Sequence, residues 1–80
     1  MKNLKNYSRV FIESFGIDES KLSSLKYQDI PEWDSVGHMG LVASIEEAFN
    51  IEMEIDDIID FSSFEKGLEI VSKYKISFNE

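Results

Sequence analysis

The chain has no cysteine and a single proline in 80 residues. Without thiols there is no disulfide framework, no thiolate metal site and no protein thiol to act as nucleophile. Basic side chains are scarce: eight Lys and Arg against sixteen Asp and Glu, a formal charge of −8. That balance argues against a nucleic-acid partner, whose phosphates must be met by cations. It argues equally against adsorption to an anionic membrane. Long apolar runs are missing too. The opening stretch Met1-Lys2-Asn3-Leu4-Lys5-Asn6-Tyr7 reads neither as a signal peptide nor as a membrane span. The expectation is a free-standing cytoplasmic protein with no membrane insertion. Internal repeats and low-complexity segments are absent. A chain this short makes one domain, 1–80, with a thin core and no easy room for a deep catalytic cavity. What it does have is 42% hydrophobic residues, including six Phe, three Tyr and one Trp. This is too apolar for a disordered acidic tail. A small fold that works through its surface is expected.

Hydrophobic spacing marks four helices, at about 2–15, 35–50, 55–60 and 62–76. Leu4, Tyr7, Phe11 and Phe15 recur at intervals of three and four, one face of a helix. Gly16 follows as a C′ glycine should. The second helix opens at Asp34-Ser35, both good N-cap types, and buries Leu41, Val42, Ile45, Ala48 and Phe49. Its opposite face holds Val36, Met39, Gly40, Ala43, Glu46 and Glu47, and Asn50 is the expected C-cap. The third helix is short, with acids at its N-terminal end where the dipole favours them. The fourth opens with Ser62-Ser63-Phe64-Glu65, read as a capping box in which Glu65 reaches the Ser62 amide. Phe64, Leu68, Val71 and Tyr74 follow on one face, with Lys73 and Lys75 at its end. Ile51, Met53 and Ile55 alternate, but one strand makes no sheet. The fold class expected is all-α: a four-helix bundle with a short third helix and a long loop between helices one and two. Leu22, Leu25, Tyr27, Ile30 and Trp33 are expected to pin that loop to the core, and Pro31 keeps it from being one continuous helix.

Charge is unevenly placed. Between Lys26 and Lys66 there is no basic residue, while eleven acids run from Asp29 to Glu65. One reading is simply a solvated acidic face. The acids adjoin the outward apolar residues Val36, Met39 and Ala43, however. Mixed acidic and apolar patches suit docking onto basic partners, because charge speeds encounter and apolar contact holds the complex.

Ser35 puts a hydroxyl at a helix N-terminus beside Asp34. An Asp-Ser pair there is commonly just a cap. It is also a place where free amides and the dipole tolerate a phosphate ester. His38, the single histidine, lies three residues on, which raises a Ser-His nucleophile pair. No group to orient the base is evident, and a packed or cap-proximal histidine is the simpler reading. Carboxylates at 52, 54, 56, 57 and 60 lack the spacing and central glycine of a calcium loop. Neither a catalytic residue nor a metal ligand set is expected.

Asp34-Ser35-Val36, then Leu41-Val42 and Ile45-Glu46-Glu47-Ala48-Phe49-Asn50-Ile51, resembles the acyl carrier protein family. The likeness continues through Ile55-Asp56-Asp57, Phe61 and the final helix from Phe64 to Val71; the first helix matches only by pattern. Val36 stands where that family has Leu, and Gly37 and Gly40 where many members carry acids. The resemblance implies that Ser35 is the attachment point for 4′-phosphopantetheine, added by a phosphopantetheinyl transferase from coenzyme A. Asp34 would match the acid that helps the transferase hold its metal. It implies a monomeric carrier, not an enzyme, that presents acyl thioesters to loading and transfer enzymes with basic docking patches. Val36, Met39, Ala43, Glu46, Glu47 and Asp56 are the docking face expected on this chain. Two alternatives stand beside it: the same fold carrying aminoacyl or peptidyl cargo, and an acidic helical adaptor that is never modified.

Overall fold

The computed structural model describes residues 3–78. They form an all-α protein of four helices, with no strand among the described residues: α1 (Asn3–Phe15), α2 (Ser35–Phe49), α3 (Ile55–Asp60) and α4 (Phe64–Ser72). A short 3-10 turn, Glu19–Lys21, interrupts the connection between α1 and α2. Position 2, where the first helix was expected to begin, lies outside the described residues.

Local chemistry explains most of the boundaries. Gly16 ends α1 at a φ of 63°, its N–H bonded to the Ile12 carbonyl at 2.8 Å. Asp34 caps α2 through its Oδ1, which accepts the Gly37 N–H at 2.8 Å. Asn50 closes α2 in the left-handed region, as expected for the few residue types that tolerate it. The sequence-based boundaries of α4 need correction at both ends. Its N-cap is Ser63, not Ser62: Ser63 Oγ accepts the Lys66 N–H at 2.9 Å. The Ser62 carbonyl is engaged elsewhere, accepting the Tyr27 N–H at 2.9 Å, and Phe64 N–H donates to Leu25 at the same distance. This small antiparallel pairing holds Ser62 outside the helix, so Glu65 falls at the second helical position and the expected capping box does not form. At the other end α4 stops at Ser72 rather than 76. Lys73 is its C-cap, and Lys75, at a φ of 68°, has left the helix.

The long connection is pinned by Leu22, Leu25 and Trp33, which are buried, and by half-buried Ile30; Tyr27, expected to join them in the core, is exposed, its ring edge-on to Trp33 and His38 at the surface. The core gathers Tyr7, Phe11 and Phe15 of α1, Leu41, Val42 and Ile45 of α2, and Phe64, Ile70 and Val71 of α4 around Trp33 and Phe61. Ala48, expected on the buried face of α2, is exposed on the groove between α1 and α2, and Phe49 is half-buried. Phe11 is the aromatic centre, with ring centroids 5.0 Å from both Tyr7 and Phe64 and 5.6 Å from Trp33. Tyr7 is fully buried, and its hydroxyl donates to the Phe64 carbonyl at 2.8 Å. Burial pushes its phenol far above the ordinary tyrosine value. Gly67 faces this cluster: a Cβ there would run into the Tyr7 hydroxyl and the Phe61 ring. The Tyr7 side chain and the Phe61 ring can lie against α4 because position 67 has no side chain.

Candidate functional site

Ser35 is the first residue of α2 and is exposed. No hydrogen bond ties its hydroxyl among the described residues. Asp34 commits Oδ1 to the Gly37 amide, and the Asp34 carbonyl accepts the His38 N–H at 2.8 Å. The amides of Ser35 and Val36 are the orphan donors left at this helix end. Gly37 is required here. A Cβ on it would collide with the Glu32 carbonyl, so the approach to α2 folds tightly across its first turn.

Beside Ser35 a cleft of about 340 Å³ opens between α2 and α3, lined mainly by Tyr27, His38, Met39, Ile58, Ile59 and Phe61. Of its lining residues Met39 is 56% exposed and Ile59 72%, and the same two helices also expose Val36 at 80% and Ile55 at 74%. Such a run of large exposed hydrophobics marks a contact site rather than ordinary surface. A roomier groove of about 570 Å³ between α1 and α2, bordered by Asn6, Arg9, Glu13 and Glu47, is polar and does not reach Ser35.

His38 forms the inner wall of the cleft. Its Nδ1 accepts the Trp33 indole N–H at 2.9 Å, and its Nε2 meets the Ile58 carbonyl at 2.8 Å. Indole can only donate and a carbonyl can only accept, so the partners dictate a neutral ring with its proton on Nε2. Both nitrogens are thereby engaged, and neither is left to activate Ser35. The indole and imidazole lie edge to edge, centroids 6.2 Å apart and planes 15° apart, as the N–H···N bond between them requires, and Phe61 stands edge-on at 6.0 Å. Trp33 is fully buried. Removing its acceptor would strand a buried N–H at a cost of about 1–3 kcal/mol.

The expected docking residues divide. Val36, Ala43 and Glu47 lie on one exposed stripe of α2, with Met39 beside it, and Asp56 is exposed near the start of α3. Glu46 is half-buried, and its Oε2 accepts the Met53 N–H at 2.8 Å, bracing the turn after α2. That gives it a structural task besides any contact with a partner.

Three residues of α3 escaped the sequence reading. Ile59 lines the cleft, Ile55 is exposed on the same helix, and Asp57 is buried. Ile55, Ile58 and Ile59 share one face of α3 by their three- and four-residue spacing, and that face is turned outward at 55 and 59 while Asp57 on the opposite side is buried. Asp57 Oδ1 accepts Lys73 Nζ at 2.6 Å, and its Oδ2 accepts the Tyr74 hydroxyl at 2.5 Å. The Tyr74 oxygen in turn accepts the Glu54 N–H at 3.0 Å. These bonds from Lys73 and Tyr74 hold the Asp57 carboxyl below the usual carboxylate range. The same pair raises Lys73, chiefly through that hydrogen bond, and burial raises Tyr74. Among the described residues no three His, Asp or Glu side chains gather as metal ligands would. No described helix is long and apolar enough to cross a membrane. No family model matches the chain, and no curated protein matches it.

Proposed function

We propose that this chain is an acyl carrier protein, a four-helix bundle whose Ser35 bears 4′-phosphopantetheine and which is not itself an enzyme. One observation carries the reading: an unbonded, exposed serine hydroxyl heads α2, directly beside an apolar cleft. The residues fit the group. A phosphate ester at Ser35 would face the free amides of the first turn and the positive end of the helix dipole. The cleft offers apolar walls to an attached arm. Asp34 stands exposed next to the hydroxyl, where a transferase holding a metal ion would meet it.

When bound, the group supplies the thiol that this cysteine-free chain lacks, and with it the means to hold cargo as a thioester. Everything else falls to the protein's own residues. Ser35 Oγ provides the oxygen for a new bond to phosphorus as the nucleotide half of coenzyme A departs and the hydroxyl proton passes to the transferase. Val36, Met39, Ala43, Glu47 and Asp56, joined by Ile55 and Ile59, offer an apolar patch ringed with acid to basic partner enzymes. Acyl intermediates are the cargo this reading favours, in a fatty-acid, polyketide or related acyl-transfer route of the cytoplasm.

Incubation with coenzyme A and a promiscuous phosphopantetheinyl transferase tests the proposal by intact mass. Wild type gains the mass of one phosphopantetheine and Ser35→Ala gains none. No gain on wild type, or an equal gain on Ser35→Ala, overturns it.

A further inference from the structure

The cleft beside Ser35 is closed at its base by hydrogen bonds. His38 reaches across from α2 to the Ile58 carbonyl of α3 at 2.8 Å, and its other nitrogen is held by Trp33 at 2.9 Å. Behind it stand Trp33 and Phe61, both buried, with Phe11 beyond them at 5.6 Å and 6.3 Å. The imidazole thus bridges the two helices between which a chain tethered at Ser35 would have to pass to reach the core. Trp33 has no side-chain acceptor besides His38, and it is sealed from water, so moving the imidazole aside strands its N–H. A purely apolar floor would part without that loss. The cleft above the bridge has a volume of about 340 Å³, and Met39 and Ile59 in its lining are mostly exposed.

From this we infer that His38 is a gate residue that keeps cargo out of the core, and that the chain carries acyl groups short enough to lie in the outer cleft. The inference rests on the carrier reading above. Cargo larger than the cleft stays in solvent or in the partner enzyme instead of being sheltered by the bundle. His38 acts here by positioning: it touches no reacting atom, and it holds α2, α3 and Trp33 in register.

The test loads Ser35 with pantetheine arms bearing butyryl, octanoyl or dodecanoyl groups and checks each species by intact mass. Thermal midpoint and the emission of the single tryptophan are then read for each. In wild type the midpoint and emission stay the same from octanoyl to dodecanoyl, and hydroxylamine cleaves all three thioesters at similar rates. In His38→Ala, and in His38→Leu as a variant that keeps apolar bulk, the midpoint climbs with chain length. Dodecanoyl is there cleaved several-fold more slowly than butyryl, and Trp33 emission shifts. A wild-type midpoint that climbs from butyryl to dodecanoyl, with a shift in Trp33 emission, overturns the inference without the need of any variant. Variants that show no chain-length response at all overturn it also, because the gate would then not be His38. Failure of wild type to accept any arm is a different result, seen first in the mass spectrum, and it removes the carrier reading itself.

Discussion

α2 is held on its two sides by different forces. Towards α1 and α4 it meets a dry aromatic cluster, with Tyr7, Phe11 and Phe61 essentially inaccessible to water. Towards α3 its joint is polar, His38 to the Ile58 carbonyl, and α3 is tied in turn to the end of α4 by Asp57 with Lys73 and Tyr74. Apolar burial is non-directional and scales with area, so the first side resists any displacement. Hydrogen bonds are directional, so the second side holds α3 in one place, and parting it at His38 strands the buried Trp33 N–H. The exposed apolar residues all but avoid the first side and crowd the second, at Val36, Met39, Ile55 and Ile59. On the proposed carrier reading, a rigid half would keep the chain folded while the other half is gripped by partners.

The rigid half breaks hardest. Gly67 of α4 lies against Tyr7 and Phe61 with no space for a methyl group. Overpacking of a tight core costs about 1–3 kcal/mol, a large part of what a domain of this size has to spare. Gly67→Ala is therefore expected to lower the thermal midpoint by several degrees and, on the upper estimate, to leave the chain partly unfolded at room temperature. Circular dichroism against temperature reads this directly. An unchanged midpoint would mean that Tyr7 and Phe61 are not packed tightly against α4, and the contrast between the two sides would disappear.

The polar half yields to acid. The Asp57 carboxyl lies below its ordinary value of 3.8 in the folded state. A depressed carboxylate contributes stability that is complete above the unfolded value and is lost as pH falls through the folded one. Lys73 and Tyr74 are raised above 10.5 and 10.0, so their contribution is complete below those values and fades as pH climbs beyond them. The tie is thus at full strength between about pH 4 and pH 10. Asp57→Asn should lower the midpoint at neutral pH by less than Gly67→Ala does. The gap between Asp57→Asn and wild type should narrow as pH drops below about 4, because wild type then loses the same charge. A gap that does not change between neutral and acid pH would show that the Asp57 charge does not hold α3.

The sequence showed the two halves unequally. α1, α2 and the exposed stripe of Val36, Ala43 and Glu47 were legible because caps and periodicity act within a few residues: Asp34, Asn50 and Gly16 do locally what their types do anywhere. The ends of α4 were not. Ser62 and Ser63 are equally good caps, and the choice between them is made by Tyr27, more than thirty residues earlier in the chain, which takes the Ser62 carbonyl. The helical spacing ran on through Tyr74, but Tyr74 and Lys73 are drawn to Asp57 instead. His38 was readable as inward-facing, yet its partners come from the loop before α2 and from α3, which no periodicity connects. Ser35 could be singled out from its neighbours. The cleft beside it could not, since its walls come from α2, α3 and the long connection at once.

The smallest effect separates the halves most cleanly, because it repeats one chemical change with the opposite sign. Gly40 lies on the exposed stripe of α2, and a Cβ there would meet nothing within 4 Å. In the folded protein the methyl group costs nothing, while in the unfolded chain it removes backbone freedom. Alanine in a helix is favoured over glycine by about 0.8–1.0 kcal/mol. Gly40→Ala should therefore raise the thermal midpoint, by about 4–8 °C per kcal/mol for a domain of this length. One methyl group added to α4 thus weakens the fold where packing is complete, and the same group added to α2 strengthens it where the surface is open. If Gly40→Ala lowered the midpoint, the open stripe would have to be covered in solution, for instance by a second copy of the chain. Sedimentation of the wild type as a dimer would then confirm that the gripping half was already occupied.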